Sequence, residues 1–182
     1  MNGSRMVRVL KRDGGVEDFD RWKLAAAIGR ALAGTPGEFR DAVELSSAVD
    51  IYLRRRGCEC VSSAALLEMV IKVLHRVGLP AAAEALEARH QWRAARRRAV
   101  HVQHHGGRVT GWDKSWLADF ACRSWDLRRA TGRIIAARVE EELLGEDPRP
   151  VSRDTLVERM NEWVVALGLA DAVPVRQYAL EG

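Results

Sequence analysis

Aromatic residues are scarce in this chain, 6 % of 182 residues, and cysteines number three, Cys58, Cys60 and Cys122. An odd, small set of thiols argues against a disulfide scaffold and for a reducing compartment, so a cytoplasmic protein is expected. Long apolar runs are absent too. The longest stretch near the start, Leu24 to Ile28, falls far short of the roughly 20 residues a membrane helix needs, so no membrane partner is expected. Met1 to Arg5 carry no apolar segment after their charge, and no secretory leader is expected. The sequence holds no phosphate-binding Gly-x-x-x-x-Gly-Lys loop, no nucleophile elbow and no metal-hydrolase pattern. No catalytic set stands out, and a non-enzymatic protein is expected.

What is present suffices for a folded core. Hydrophobic residues make up 47 % of the chain and charged residues 30 %, which argues against wholesale disorder. The net charge of +4 is unevenly divided. Residues 1–100 hold 18 Lys and Arg against 12 Asp and Glu, a net of +6, whereas residues 101–182 hold 11 against 13, a net of −2. The basic surplus of the first half invites a phosphate-bearing partner there.

The chain also resembles itself. Val61-Ser62-Ser63-Ala64-Ala65-Leu66 matches Val151-Ser152-Arg153-Asp154-Thr155-Leu156 at an offset of 90, as Gly78-Leu79 matches Gly168-Leu169. Upstream the offset is 93, where Val16, Phe19, Asp20 and Leu24 meet Val109, Trp112, Asp113 and Leu117. One short loop indel accounts for the change. Two units follow, residues 1–100 and 101–182.

In the first unit, Met6, Val7 and Val9 to Lys11 read as a strand, Asp13-Gly14 as a hairpin turn, and Val16 to Phe19 as the returning strand. Asp20 caps a helix to about Ala33 with Leu24, Ile28 and Leu32 on one face. A second helix spans Glu38 to Arg56, and Cys58 to Val61 reads as a short strand. Ser62 or Ser63 caps a third helix with Leu66, Val70, Val73 and Val77 apolar, and an Ala- and Arg-rich fourth helix covers Pro80 to Arg98. The second unit starts less distinctly. Trp116, Phe120 and Leu127 mark its first helix, and Ile134, Ile135, Val139 and Leu143 its second. Ser152 caps a third with Leu156, Met160, Trp163 and Leu167 apolar, and a fourth is missing or cut short.

Lys11 and Arg12 end one strand, Glu17 lies on its partner, and Lys23 falls in the first turn of the following helix. A hairpin folded onto that helix brings three cations and a carboxylate together. Lys and Arg neutralise phosphate oxygens through charge-assisted hydrogen bonds, and a carboxylate accepts from a ribose hydroxyl or base amine or holds magnesium. Without further information the same hairpin is also a solvated charged turn.

The run Val-x-Lys-Arg-Asp-Gly-x-x-Glu-x-Phe-Asp-x-x-Lys over residues 9–23 resembles the signature of the ATP-cone domain, and the Val61-Ser62-Ser63 helix entry fits the same family. The resemblance covers about residues 5–98. It implies an α+β, mostly α fold, a four-helix bundle capped by a small three-stranded sheet, here followed by a second, degenerate helical copy. It also implies a regulatory module that binds ATP or dATP, with magnesium, and changes activity or oligomeric state, so a homo-oligomer is expected. ATP-cones occur in ribonucleotide reductases and in the repressor of their genes. By that resemblance Lys11 and Arg12 contact phosphates, Val9 faces the adenine through its backbone, and Glu17 and Asp20 make polar contacts. Lys23 contacts phosphate or base, and Ser63 supplies a hydroxyl, with Ser62 one register away. The end of the module departs from the family. Leu86 stands near a usual tyrosine, and Arg89 and Arg93 are the remaining candidates for phosphates there.

At the offset of 93, His104 and His105 replace Lys11 and Arg12, Thr110 replaces Glu17, and Trp116 replaces Lys23. The second unit is therefore expected to pack, dimerise or occlude rather than hold a triphosphate well, unless its pocket has been repurposed. Arg89, Arg93, Arg96, Arg97 and Arg98 around Trp92 read either as a grip on nucleic acid or as a solvated helix end. His101-x-x-His104-His105 has metal-like spacing but reads as a linker, Cys58-x-Cys60 does not close a zinc site, and no metal is expected. The tryptophans are expected in cores or interfaces. The reading that follows is a nucleotide sensor acting on ribonucleotide reductase activity or expression. The alternatives are a DNA-binding transcription regulator using the Arg89–Arg98 helix and a non-sensing scaffold.

Overall fold

The computed structural model describes residues 6–11 and 14–169. They form a mostly helical α+β chain divided into two compact units, which meet between Gln91 and Trp92. The division falls inside a helix, nine residues before the boundary expected at 100.

In the first unit, β1 (Arg8–Leu10) pairs antiparallel with β2 (Val16–Asp18) and parallel with β3 (Cys60–Ser62), giving the order β2-β1-β3. The turn between β1 and β2 is closed by the Lys11 N–H donating to the Gly15 carbonyl at 2.7 Å and the Gly14 N–H to the Lys11 carbonyl at 3.1 Å. Gly14 sits at φ +79°, where a side chain would be strained. Asp20 caps α1 (Arg21–Leu32) with its carboxylate, as expected from sequence. Glu38 and Asp41 form a reciprocal capping box on α2 (Phe39–Arg55). Ser62 accepts the Ala65 N–H at the start of α3 (Ser63–Arg76). Then α4 (Pro80–Ala99) follows. Ile28, Leu32, Val49, Leu53, Val70 and Leu74 lie in the core. The α3 stripe differs from its sequence reading: Val70 and Leu74 are buried while Val77 is 52 % exposed. Val77 is the C-cap residue beyond the end of the helix, so the apolar spacing carries on one step past the face it marks.

The second unit repeats this order. β4 (His101–Gln103) pairs antiparallel with β5 (Val109–Gly111) and parallel with β6 (Val151–Ser152), in the order β5-β4-β6. The segment from His101, which reads as a linker, is thus a central strand followed by a turn. Its hydrogen bonds match those of the first hairpin: the His104 N–H donates to the Arg108 carbonyl at 2.8 Å and the Gly107 N–H to the His104 carbonyl at 3.1 Å. The helices α5 (Lys114–Trp125), α6 (Arg129–Gly145) and α7 (Arg153–Ala166) follow, with Asp113 capping α5 and Ser152 capping α7. Strands β4 and β5 and helix α5 stand 93 residues beyond their first-unit counterparts, and α6 and α7 stand 90 beyond. Leu117, Trp125, Ile135, Val139, Leu156 and Met160 form this core. Ile135 takes the inner position on α6 and leaves Ile134 53 % exposed. Of the tryptophans, Trp125 is buried and Trp112, Trp116 and Trp163 pack against the second core, whereas Trp22 and Trp92 are exposed. The expected loss of a fourth helix here concerns residues 170–182, outside the described residues.

Candidate functional site

The first-unit site is built at one end of the three-stranded sheet. Val9, buried at the centre of β1, sits across from Glu17 on β2 and Val61 on β3. Leu10 pairs with Ser62 in a parallel register, so the residues that follow, Lys11 and Ser63, leave the sheet at the same end. Asp20 Oδ1 accepts the N–H groups of Trp22 at 2.9 Å and Lys23 at 3.2 Å. This cap fixes the first turn of α1 and thereby the start of the Lys23 side chain.

Lys11 Nζ stands 3.2 Å and Lys23 Nζ 4.0 Å from the same Glu17 Oε2. Glu17 is only 17 % exposed, Lys11 33 % and Lys23 69 %. Two ammonium groups sharing one carboxylate leave excess positive charge at an accessible place. Half-exposed pairs of this kind contribute little stability, so an arriving phosphate can take over the lysines at small cost. Sequence reasoning therefore placed Lys11, Glu17 and Lys23 together, and the structure brings them together. Val9 joins through the strand, Ser63 through the first turn of α3, and Asp20 as the cap beneath Lys23. Ser62, the neighbouring hydroxyl, holds the Ala65 N–H and serves the helix. Arg12 lies outside the described residues.

The Arg89–Arg98 run does not present one solvated basic face. Arg93 Nη2 donates to Glu140 Oε2, and Arg97 donates from Nε and Nη2 to the two Glu140 oxygens at 2.8 and 2.9 Å. The Trp112 indole at 3.0 Å and the Lys114 ammonium at 3.3 Å complete the shell. Glu140 is fully buried on α6. Burial pushes its carboxyl up, but the Arg97 hydrogen bonds, the Lys114 and Arg97 charges and the Trp112 indole outweigh this and bring it down to about 2. Burial lowers Lys114 from the usual lysine range; Glu140 opposes that shift, and Arg97 and Arg93 add to it. Two arginines available to nucleic acid in the sequence reading are therefore committed inside the second unit. Sequence reasoning missed this cluster, although one signal was present: Glu140 interrupts the apolar stripe of Ala136, Val139 and Leu143.

The second-unit hairpin carries a cavity of about 290 Å³ lined by the counterparts of the first-unit site residues, among them His104, Thr110 and Trp116. His104 Nε2 lies 2.8 Å from Thr110 Oγ1, and its ring meets Trp116 edge-on at 6.1 Å. Burial first, then the charges of Arg108, Arg153 and His105, push His104 below the usual imidazole range. Among the described residues no group of three or more His, Cys, Asp or Glu is arranged to hold a metal ion.

A β-hairpin and a third, parallel strand set on helices, with lysines gathered at the sheet end, define a small α+β module. The family model of the ATP cone domain matches residues 7–98, and the chain belongs to the ATP-cone family, whose members are nucleotide-binding regulatory modules. No curated protein matches the chain. No helix among the described residues is long and apolar enough to cross a membrane.

Proposed function

We propose that this chain is a cytoplasmic nucleotide sensor whose first unit binds ATP or dATP, with magnesium, and whose second unit is a degenerate copy of the same module. The observation that carries the reading is the convergence of Lys11 and Lys23 on Glu17 beside Ser63 at the end of the sheet. In this reading Lys11, Arg12 and Lys23 hold the phosphates, Glu17 takes a sugar or base contact or the metal, and Val9 lines the base through its backbone. Binding biases how subunits pack, and through that the activity or expression of ribonucleotide reductase. A switch of this kind needs the two nucleotides to favour different states, since a ligand with equal affinity for both shifts nothing.

The supporting observation for the copy is the shared element order, sheet order and turn hydrogen bonding at offsets of 93 and 90. Titration calorimetry with ATP and dATP, paired with light scattering, tests the sensor. We expect heat from both nucleotides and a change of assembly with only one. A folded chain that gives no heat with either nucleotide sinks the reading.

A further inference from the structure

The second-unit cavity is not a neutral remnant. Lysines at two positions have given way to His104 and Trp116, but cations have returned from elsewhere. Arg108, at the end of the hairpin turn, lines the cavity. Arg153, the first residue of α7 and the counterpart of Ser63, lays its guanidinium over the Trp116 ring at 5.7 Å and the Phe120 ring at 5.6 Å. Trp116 is itself a wall of the cavity.

Neither arginine has an acidic partner among the described residues. Arg153 Nε is buried without a hydrogen-bond partner, a costly state. Two acids lie nearby, and one of them, Asp113, lines the cavity itself. Asp113 accepts the Ser115 and Trp116 N–H groups through Oδ1, and Asp154 pairs with His105 at 3.2 Å. His104 is held toward its neutral form, so the positive charge of the site comes from Arg108 in the lining and Arg153 beside it, against the one carboxylate of Asp113.

From this charge and shape we infer that the second-unit cavity binds a small phosphate monoester that carries a planar ring. The dianion lies between Arg108 and Arg153 within reach of the Thr110–His104 pair, and the ring lies against Trp116. Guanidinium forks suit phosphate oxygens, and with one carboxylate also in the lining the site suits the small charge of a monoester better than that of a triphosphate. The cavity, about 290 Å³, is just under the roughly 300 Å³ at which ligand sites begin, which limits it to a small ligand. The site stands on the second unit's own residues and does not require the first unit to bind ATP.

The test is calorimetry on the full chain with adenosine monophosphate, inorganic phosphate and ATP, in the wild type and in Lys11→Ala. We expect adenosine monophosphate to bind equally in both, about tenfold tighter than inorganic phosphate. Arg108→Ala, an exposed turn position that leaves the core intact, and Arg153→Ala are each expected to weaken it about tenfold or more. ATP heat lost in Lys11→Ala while monophosphate heat remains would separate the two sites. Four results overturn the inference: no monophosphate heat in the wild type, heat abolished by Lys11→Ala, affinity unchanged by both arginine variants, or ATP binding this site more tightly than the monophosphate. Equal affinity for inorganic phosphate overturns the ring-bearing ligand.

Discussion

Glu17 and Glu140 show how differently the two units use a carboxylate on like scaffolds. In the first unit the carboxylate lies on a strand between two accessible lysines, a weak arrangement that a ligand can take over. In the second, Thr110 occupies the strand position, and the carboxylate sits fully buried on α6 with three cations and an indole around it. The first-unit counterpart of Glu140 is Asp50, which pairs with Arg54 one turn along α2. The first-unit counterpart of the Trp112 indole is Phe19, which has no donor. What the units share is the backbone grammar: an aspartate cap on the first helix, a serine cap on the third, a glycine at positive φ in the turn. Backbone instructions and side-chain chemistry are thus separable: two units can share the one and differ in the other.

The sharpest break of this comparison is Glu140→Ala. It strands Arg93, Arg97 and Lys114 in a partly buried shell, and breaking such a cluster typically costs about 3–5 kcal/mol. Asp50→Ala should cost less than about 1 kcal/mol, because its partner is exposed. Urea unfolding of both variants measures the contrast, and equal losses would refute it. Acid titration probes the same residue. Glu140 is held at about 2 against an ordinary 4.5, so the folded state favours its ionised form. Its contribution, roughly 3 kcal/mol, is present above 4.5 and is lost as pH falls from there through 2.

Next in size is the ligand contrast. Lys11→Ala should weaken ATP binding by roughly 1.5–3 kcal/mol, the range for a lost charged hydrogen bond, whereas His104→Ala should leave ATP heat unchanged. An unaltered affinity in Lys11→Ala would instead favour a non-sensing scaffold.

A smaller effect concerns the first helix pair of each unit. In the first unit the small residue is Gly29 on α1, where an added Cβ would meet the Phe39 ring at 2.7 Å and Ala42 at 3.8 Å. In the second it has moved to the opposite helix. A Cβ on Gly132 of α6 would meet Cys122 Sγ at 2.6 Å and the Ala118 carbonyl at 2.8 Å. Burial pushes the Cys122 thiol up, so a neutral sulfur fills the space Gly29 leaves open in the first pair. Gly132→Ala should destabilise by about 1–3 kcal/mol, with partial rescue by Cys122→Ala. Gly29→Ala should cost less, since Phe39 is 59 % exposed and can move aside. Thermal denaturation separates the three. The mildest effect is also the most alike in the two units: Ser62→Ala and Ser152→Ala should each cost about 1 kcal/mol, as lost helix caps do.

Much of this was legible from local signals. Asp20, Ser152 and Gly14 announced caps and a turn, and the 93-residue offset tied the units together before any fold was known. Lys11, Glu17 and Lys23 were readable because a hairpin and one helical turn suffice to bring them together. Strands β4 and β5 were not, because only Val102 and Val109 stand out as apolar amid His, Gln, Gly and Arg, although the same offset pointed to them. The Glu140 shell draws on partners 26 to 47 residues away, beyond any local pattern. Arg153 escaped notice because it stands where the first unit has a hydroxyl, so nothing in the first site suggested a cation there.

Helix α4 sets the terms on which the chain can be dissected. The family match runs to residue 98, while the compact first unit ends at 91. Homology and folding therefore claim the same two helical turns. A second-unit fragment begun at residue 101 would leave Glu140 with Lys114 and Trp112 alone, and one begun at 92 would keep its arginines. Excising the recognised module by its homology limits would thus take with it part of its neighbour's foundation.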